Sequence, residues 1–188
     1  MKQLFGALSV VILAIGGLSC SPTSPTPQAV AWTATYNWAV TQVNWAGAPG
    51  TAKSRFDGRC SADSDYIVTA TLEGQSDPGG HVTGTTSHCT QITWSAQGPA
   101  AVTYSDGRGT LSSATGTIVL HYADGITGLD SQTGETWFED VVTVDSGAGA
   151  FAGATGTARE GGRFRDFGAL LAGAPVPMSL KGTLTYGR

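Results

Sequence analysis

The sequence predicts an all-β domain, a small closed antiparallel barrel of about eight strands, with a β-sandwich as the alternative. Short runs rich in Thr, Val, Ile and aromatic residues alternate apolar with polar positions, which is typical of strands with one buried face. Turn-forming sequences such as Asp77-Pro-Gly-Gly80 and Ser105-Asp-Gly107 separate these runs. No window of about eleven residues or more repeats apolar positions at the spacing of an amphipathic helix.

The N-terminal segment, residues 1–19, is predicted to be a signal peptide. Lys2 precedes the apolar run Leu4–Leu18, which is shorter than the ~20 residues that span a bilayer but fits the apolar region of a signal peptide. Cys20 follows directly, and this arrangement resembles a bacterial lipoprotein signal, in which the cysteine is lipidated and becomes the first residue of the mature chain. Simple secretion, with cleavage after Ala29-Val-Ala31, is the alternative.

A tether rich in Pro, Ser and Thr follows Cys20 and extends through residue 30. Chain of this composition is extended, at ~3.1 Å per residue, and would hold a domain roughly 30 Å from its anchor. We therefore divide the chain into the signal peptide, the lipidated cysteine with its tether (20–30), and one β-barrel domain (31–188). The expected location is the bacterial cell envelope, with membrane attachment through the lipid; release by simple secretion stays open.

Within the domain, the clearest alternating runs are the predicted strands. Barrel closure is favoured because it removes the unpaired edges that a weakly charged chain could not otherwise protect. A helical turn is expected only at Gly168–Gly173, because Pro175 and Pro177 follow it. The predicted strands are Tyr66–Leu72, Gln91–Trp94, Thr117–Tyr122, Thr136–Val144 and Ser179–Tyr186.

The cysteines predict a disulfide bond. With Cys20 assigned to the lipid, Cys60 and Cys89 remain as a pair, and export places them where disulfides persist. A metal site would need more ligands than two cysteines, and His88 is the only further potential ligand nearby in the sequence. Cys89 alternates with Gln91 on the more polar face of its strand, so the bridge is expected outside a ligand cavity.

Composition and motifs exclude several classes of function. The chain of 188 residues has a formal charge of −4, only 13% charged residues and no basic run, which argues against a nucleic-acid partner. A hydrophobic share of 40% can form a core, which argues against a disordered chain. The sequence contains no G-x-S-x-G elbow, no P-loop, no H-E-x-x-H and no C-x-x-C. No cofactor and no metal are therefore predicted.

A family resemblance supports the barrel. Three segments are similar to recurring phrases of exported bacterial proteins of the allene oxide cyclase-like type, relatives in fold of the plant dirigent proteins. The resemblance implies an eight-stranded barrel whose interior can hold an apolar small molecule, and members with known chemistry cyclise a substrate or steer radical coupling. The matched phrases are structural in character. They read Gly80-His-Val-Thr-Gly84, Gly109-Thr-Leu-Ser-Ser-Ala-Thr-Gly116 and Gly147-Ala-Gly-Ala-Phe-Ala-Gly-Ala-Thr-Gly156.

Two adjacent carboxylates, Glu139 and Asp140, point to opposite faces of a predicted strand. If the interior is the face that carries Trp137, Glu139 enters the barrel beside the indole. If the interior is the more apolar face that carries Phe138, Asp140 is the buried group. In either case, an exposed charge at a strand end is the simpler interpretation.

The histidines are scattered without metal-ligand spacing. His88 shares a face with Thr90, Ile92 and Trp94 and is a candidate cavity residue; an ordinary structural or surface histidine is the alternative. His121 is expected to face solvent, and His81 to lie at a barrel mouth. The candidate ligand-binding residues are His88, Trp94, Tyr104, Tyr122, Trp137 and Glu139.

The densest charge in the chain lies at Arg159–Asp166, where signs alternate. The simpler interpretation is a solvated hairpin with local ion pairs, and the alternative is a mouth whose arginines attract an anionic group. Trp32, Trp38 and Trp45 are expected to pack in the core or cap the barrel, with a sugar-binding platform as the alternative.

These observations predict an exported barrel that binds an apolar or amphipathic small molecule without transforming it. One alternative is a cyclase or isomerase that acts through cavity shape, with His88, Tyr104, Tyr122 or Glu139 as proton handler. The other is a structural or adhesive surface module without a ligand. Enzymatic activity, ligand identity and oligomeric state stay open.

Overall fold

The computed structural model describes residues 26–45, 58–96, 98–123 and 125–187. The predicted signal peptide, the predicted lipidation site Cys20 and most of the predicted tether lie outside the described residues. The described strands are β1 (Pro27–Trp45), β2 (Tyr66–Asp77), β3 (Gly80–Ser95), β4 (Gly98–Ser113), β5 (Gly116–Tyr122), β6 (Ile126–Asp130), β7 (Glu135–Gly149), β8 (Thr155–Phe164) and β9 (Val176–Gly187). A short helix, α1 (Phe167–Leu171), lies where the helical turn was predicted.

The strands form a closed antiparallel barrel, which confirms the predicted fold class. Eight strands pair around the wall in the order β1-β2-β3-β4-β5-β7-β8-β9, and β9 pairs back with β1. The additional strand, β6, also pairs with β7 and runs in the same direction as β5. A bridge between Tyr104 and Gly125 joins this end of the wall to β4. The barrel wall therefore continues past the end of β5.

One end of the barrel, which we call the closed end, is filled by side chains. It lies where β1 and β3 begin and β2 and β9 end. The Trp32 indole is completely buried there and donates a hydrogen bond of 3.2 Å to Ser76 Oγ. The surrounding core residues include Leu72, Val82, Leu111, Leu120, Phe151 and Leu184. This continuous apolar core stabilises the barrel by the burial of hydrocarbon from water.

Two predictions drawn from turn-like or charged composition are wrong. The segment Ser105–Gly107 forms a β-bulge inside β4, because Ser87 pairs with Arg108 whereas Cys89 already pairs with Ser105. Asp106 has a φ of 42°, a conformation that bulges and turns share. The charged segment predicted as a solvated hairpin belongs largely to β8, whose alternation carries Glu160 into the barrel.

The boundary between tether and domain also differs from the expectation. β1 begins at Pro27, inside the segment 20–30 assigned to the tether, and Pro27 pairs with Gly187. Residues 27–30 therefore belong to the barrel wall. In the described part of the chain, no helix is long and apolar enough to cross a membrane.

The predicted disulfide bond between Cys60 and Cys89 is confirmed, with a Cα–Cα distance of 5.6 Å. Both cysteines are buried, and they tie the segment before β2 to the outer side of β3. Arg59 strengthens this attachment, because its guanidinium donates hydrogen bonds to the Ser87 carbonyl and to the Asp106 carboxylate, at 2.7 and 3.0 Å. The outer wall at the bulge is thereby held in place.

Candidate functional site

The end of the barrel opposite the closed end, which we call the open end, contains a cavity of about 290 Å³. It lies where β1, β3 and β8 finish and β2, β4, β7 and β9 begin. α1 contributes Phe167, Leu170 and Leu171 to one side of it. The rest of the apolar wall comes from the strands and includes Trp38, Val40, Val68, Ile92, Val102, Phe138, Phe164 and Met178.

Small inward-facing residues keep this half of the barrel from filling. Thr90 and Thr136 line the cavity where larger side chains would close it. Gly162 faces inward on β8, and a Cβ there would lie 2.6 Å from the Met178 sulfur and 3.0 Å from the Phe138 ring. A larger residue at position 162 would therefore displace the cavity wall.

Two carboxyl groups lie together inside the barrel. Asp140 of β7 is paired directly opposite Glu160 of β8, and both line the cavity. Asp140 is 6% exposed and Glu160 4% exposed. The described residues that line the cavity include no lysine and no arginine, so none of them neutralises the pair. Burial of two acidic groups this close together favours protonation of at least one of them.

Hydrogen bonds hold the pair unequally. Tyr36, from β1, donates its hydroxyl hydrogen to Glu160 Oε2 across the intervening strand β9. The Tyr104 hydroxyl donates a hydrogen bond to the Glu139 backbone carbonyl at 3.2 Å, and its proximity to the Asp140 carboxyl group lowers the pKa of that group. Asp140 Oδ1 is buried and has no hydrogen-bond partner among the described residues. It is therefore an acceptor that the described residues leave unsatisfied, on a residue that lines the cavity.

The pKa values of both acids follow from this environment. Burial raises the pKa of Asp140 to about 7, and the nearby hydroxyl group of Tyr104 opposes that shift. Burial also raises the pKa of Glu160 well above its ordinary value; the nearby Asp140 charge adds to the shift and the Tyr36 hydrogen bond opposes it. At neutral pH the pair therefore retains a proton that two exposed carboxylates would have lost.

His88, on β3, lines the same cavity. Its ring meets Tyr104 and Tyr122 edge-on, with centroids 5.3 and 5.1 Å away. Burial, and to a lesser extent the positive charge of Arg59, lower the pKa of His88 to about 4, so the imidazole is neutral at physiological pH. His88 Nδ1 and the Tyr122 hydroxyl are buried without hydrogen-bond partners in the described part of the chain. The site thus has polar atoms that the described residues leave unsatisfied.

Glycines in β4 make room for these rings. A Cβ on Gly107 would lie 2.6 Å from His88 Nδ1, and one on Gly109 would lie 3.0 Å from the Tyr122 ring. Both glycines follow the bulge at Asp106, which moves odd-numbered residues of β4 to the inner face. The bulge therefore determines which residues of β4 can surround the histidine.

The structure brings together some of the residues that the sequence singles out. His88, Trp94 and Tyr104 line the cavity, with Trp94 at its rim and 58% exposed. Tyr122 is completely buried behind His88 and does not line it. Trp137 and Glu139 are placed on the opposite face of β7, because the inner positions of that strand are those of Phe138 and Asp140.

Sequence reasoning missed Glu160 and weighed Asp140 only as an alternative. The signal for Asp140 was the apolar character of its face, which also carries Val142 and Val144. The signal for Glu160 was its alternation with Ala158, which is buried, and with Phe164, which lines the cavity. Because Glu160 lies among arginines in the sequence, it was interpreted as part of an exposed charged segment.

The other charged and aromatic candidates lie elsewhere. Arg163 pairs with Asp130 at 3.2 Å and Arg165 with Glu135 at 3.1 Å, and neither arginine lines the cavity. His81 lies at the closed end, 3.9 Å from Glu73. Trp32 is in the core, Trp38 lines the cavity, and Trp45 is exposed at the open end. No group of three or more potential metal ligands occurs within the described ranges.

Comparisons with protein-family models, with curated proteins and with solved structures found no match to this chain.

The buried acid predicts an unusual dependence of stability on pH. The pKa of Asp140 is about 7 in the folded protein and near 4 in the unfolded chain, so the folded state binds this proton more tightly. Its stabilising contribution is full below about pH 4 and is lost as the pH rises to about 7. The stability of Asp140→Asn relative to the parent should therefore rise by roughly 2–3 kcal/mol when the pH is raised from about 5 to about 8.

The measurement is urea unfolding of both proteins at the two pH values. His88, whose pKa is lowered, has the opposite pH dependence below its ordinary pKa, but it is present in both proteins and cancels in the comparison. Glu139→Gln, on the exposed face of the same strand, is the matched control and should behave as the parent does. A constant difference between Asp140→Asn and the parent at both pH values would contradict the assignment.

Proposed function

We propose that the barrel binds an apolar or amphipathic small molecule in the open-end cavity. The observation that carries the proposal is a half-filled barrel: side chains occupy the closed end, whereas the open end keeps an aromatic cavity with a few polar groups. Concave sites of this kind, mostly apolar with a small number of oriented polar groups, are typical of ligand pockets. This combination argues against the alternative of a structural module without a ligand.

The size of the cavity limits the ligand. A volume of about 290 Å³ is at the small end of the range of ligand pockets, ~300–1,000 Å³. It corresponds to about ten water molecules at ~30 Å³ each, so a compact hydrocarbon chain or a two-ring aromatic molecule is the expected scale. A long lipid would have to extend out of the open end.

We also propose that the domain is exported and anchored through Cys20. Cleavage after Ala31 would remove residues 27–31 that pair with β9, whereas cleavage before Cys20 leaves β1 intact. Pro27 lies at the closed end, so an anchor preceding it leaves the cavity facing away from its membrane. The disulfide is in keeping with an oxidising compartment.

Incorporation of labelled palmitate that Cys20→Ser abolishes would support the anchor, and labelling of both proteins or of neither would contradict it.

A second candidate function, a cavity-shaped cyclase or isomerase, is favoured by the acid pair. Asp140 has a pKa near neutrality and lies beside a second acid whose pKa burial also raises, and two such acids that share a proton can let one group accept a proton while the other donates one.

Exchange of solvent deuterium into 2-tetralone, a two-ring ketone with an acidic C–H group, tests this candidate. Exchange faster than buffer alone, lost in Asp140→Asn and kept in Glu139→Gln, would support proton transfer at the pair. Exchange at the buffer rate would leave binding as the proposal.

Binding itself is tested with the neutral fluorescent probe N-phenyl-1-naphthylamine, whose two naphthyl rings match the expected scale and whose phenyl ring would extend toward the open end. The wild-type domain should bind it with a Kd in the micromolar range, about −8 kcal/mol at 1 μM. Val102→Trp places an indole in the cavity and should weaken binding at least about tenfold, which is ~1.4 kcal/mol.

Thr103→Trp adds the same side chain at the next position, which is exposed on the outer face of β4, and should bind the probe as the wild type does. Absence of saturable fluorescence enhancement in the wild type, or equal loss in both variants, would count against binding in this cavity.

A further inference from the structure

We infer that the ligand is an organic amine whose ammonium group contacts Asp140 while its hydrocarbon part lies among the aromatic side chains of the cavity. This inference rests on the proposed function and adds the chemical class of the ligand. Three features of the cavity support it: the acidic groups that line it, the unsatisfied acceptor on Asp140, and the aromatic rings in the same cavity.

The first feature is the sign of the charge. Asp140 and Glu160 line the cavity, and the described lining residues include no Lys or Arg. Arg59 is the arginine whose charge acts on His88, but it lies on the outer side of the wall. There it forms an ion pair with Asp106 at 3.0 Å and donates a hydrogen bond to the Ser87 hydroxyl at 2.8 Å. An anionic ligand would therefore meet two acids and no partner, which is unfavourable in a site of low dielectric constant.

The second feature is the free acceptor. Glu160 Oε2 already accepts a hydrogen bond from Tyr36, but Asp140 Oδ1 has no partner among the described residues. An unpaired buried acceptor is costly, and the group that would satisfy it must donate a hydrogen. An ammonium group supplies donors together with the opposite charge, which makes the hydrogen bond shorter and stronger than one from a neutral donor.

The third feature is the ring of aromatic side chains. Phe138 lies two positions from Asp140 on the same inner face of β7. Its ring centroid is 6.4 Å from Trp38, 6.5 Å from Tyr104 and 6.3 Å from Phe164. Aromatic faces near a carboxylate attract a desolvated cation and also accommodate its hydrocarbon part.

A neutral alcohol could also donate to Asp140 Oδ1, but it would leave uncompensated the negative charge that Asp140 carries when it is ionised. Charge and hydrogen bonding therefore separate three ligands of one shape: an amine satisfies both requirements, an alcohol satisfies one, and a carboxylate satisfies neither.

The test is calorimetric titration of the domain at neutral pH with 1-naphthylmethylamine, 1-naphthalenemethanol and 1-naphthoate, which share one ring system. The amine should bind at least about tenfold more tightly than the alcohol, and 1-naphthoate should be the weakest of the three. In Asp140→Asn the advantage of the amine over the alcohol should fall to within about threefold, whereas Glu139→Gln should keep it. Comparing two ligands on one variant removes any general effect of the substitution on the cavity.

Failure of this inference is distinguishable from failure of the proposed function. If the alcohol binds as tightly as the amine, or if 1-naphthoate binds most tightly, the inference is overturned while binding of apolar molecules stands. An amine preference that Asp140→Asn leaves unchanged would also overturn it. If none of the three compounds nor N-phenyl-1-naphthylamine binds the wild type, both proposals fall together.

Discussion

The direct pairing of Asp140 with Glu160 across β7 and β8 is the constraint around which the open half of the barrel is organised. In a closed barrel each residue faces either the interior or the outside, so this register places both carboxyl groups inside. No lysine or arginine lines the described cavity. The energetic penalty of burying the two acids is therefore reduced by protonation and by the hydrogen bond from Tyr36 to Glu160. The raised pKa values and the free oxygen on Asp140 both follow from that pairing.

The closed end supplies the stability that such a site requires. Trp32, Leu72, Leu120 and Leu184 are almost completely buried there, and each buried aliphatic or aromatic side chain contributes roughly 1.5–3 kcal/mol relative to an exposed one. At the open end, by contrast, Thr90, Thr136 and Gly162 leave space unfilled. The barrel thus combines a densely packed half with a half whose polar groups are incompletely satisfied, and sites of function commonly show such departures from ideal packing.

Alternation within short runs was sufficient to predict the barrel, because strands such as β5 and β9 carry apolar residues at every second position. It was insufficient to predict the site. The bulge at Asp106 shifts the parity of β4, so Tyr104 and Gly107 both face inward, and local composition there suggested a turn. Glu160 lies among arginines whose side chains leave the barrel, and only the limits of β8 reveal that it points inward. The pairing of two distant carboxyl groups depends on strand register, which no single run contains.

The protonation of the carboxyl pair tests this account most directly. Carbon-13 NMR of the side-chain carboxyl carbons of Asp140 and Glu160, recorded from about pH 3 to about pH 10, follows each group through its titration. The account predicts that the Asp140 signal titrates near pH 7, and that the Glu160 signal changes well above the ordinary range of a glutamate. If both signals titrate at about pH 4, as exposed carboxylates do, the two acids do not share the interior of the barrel and the account is wrong.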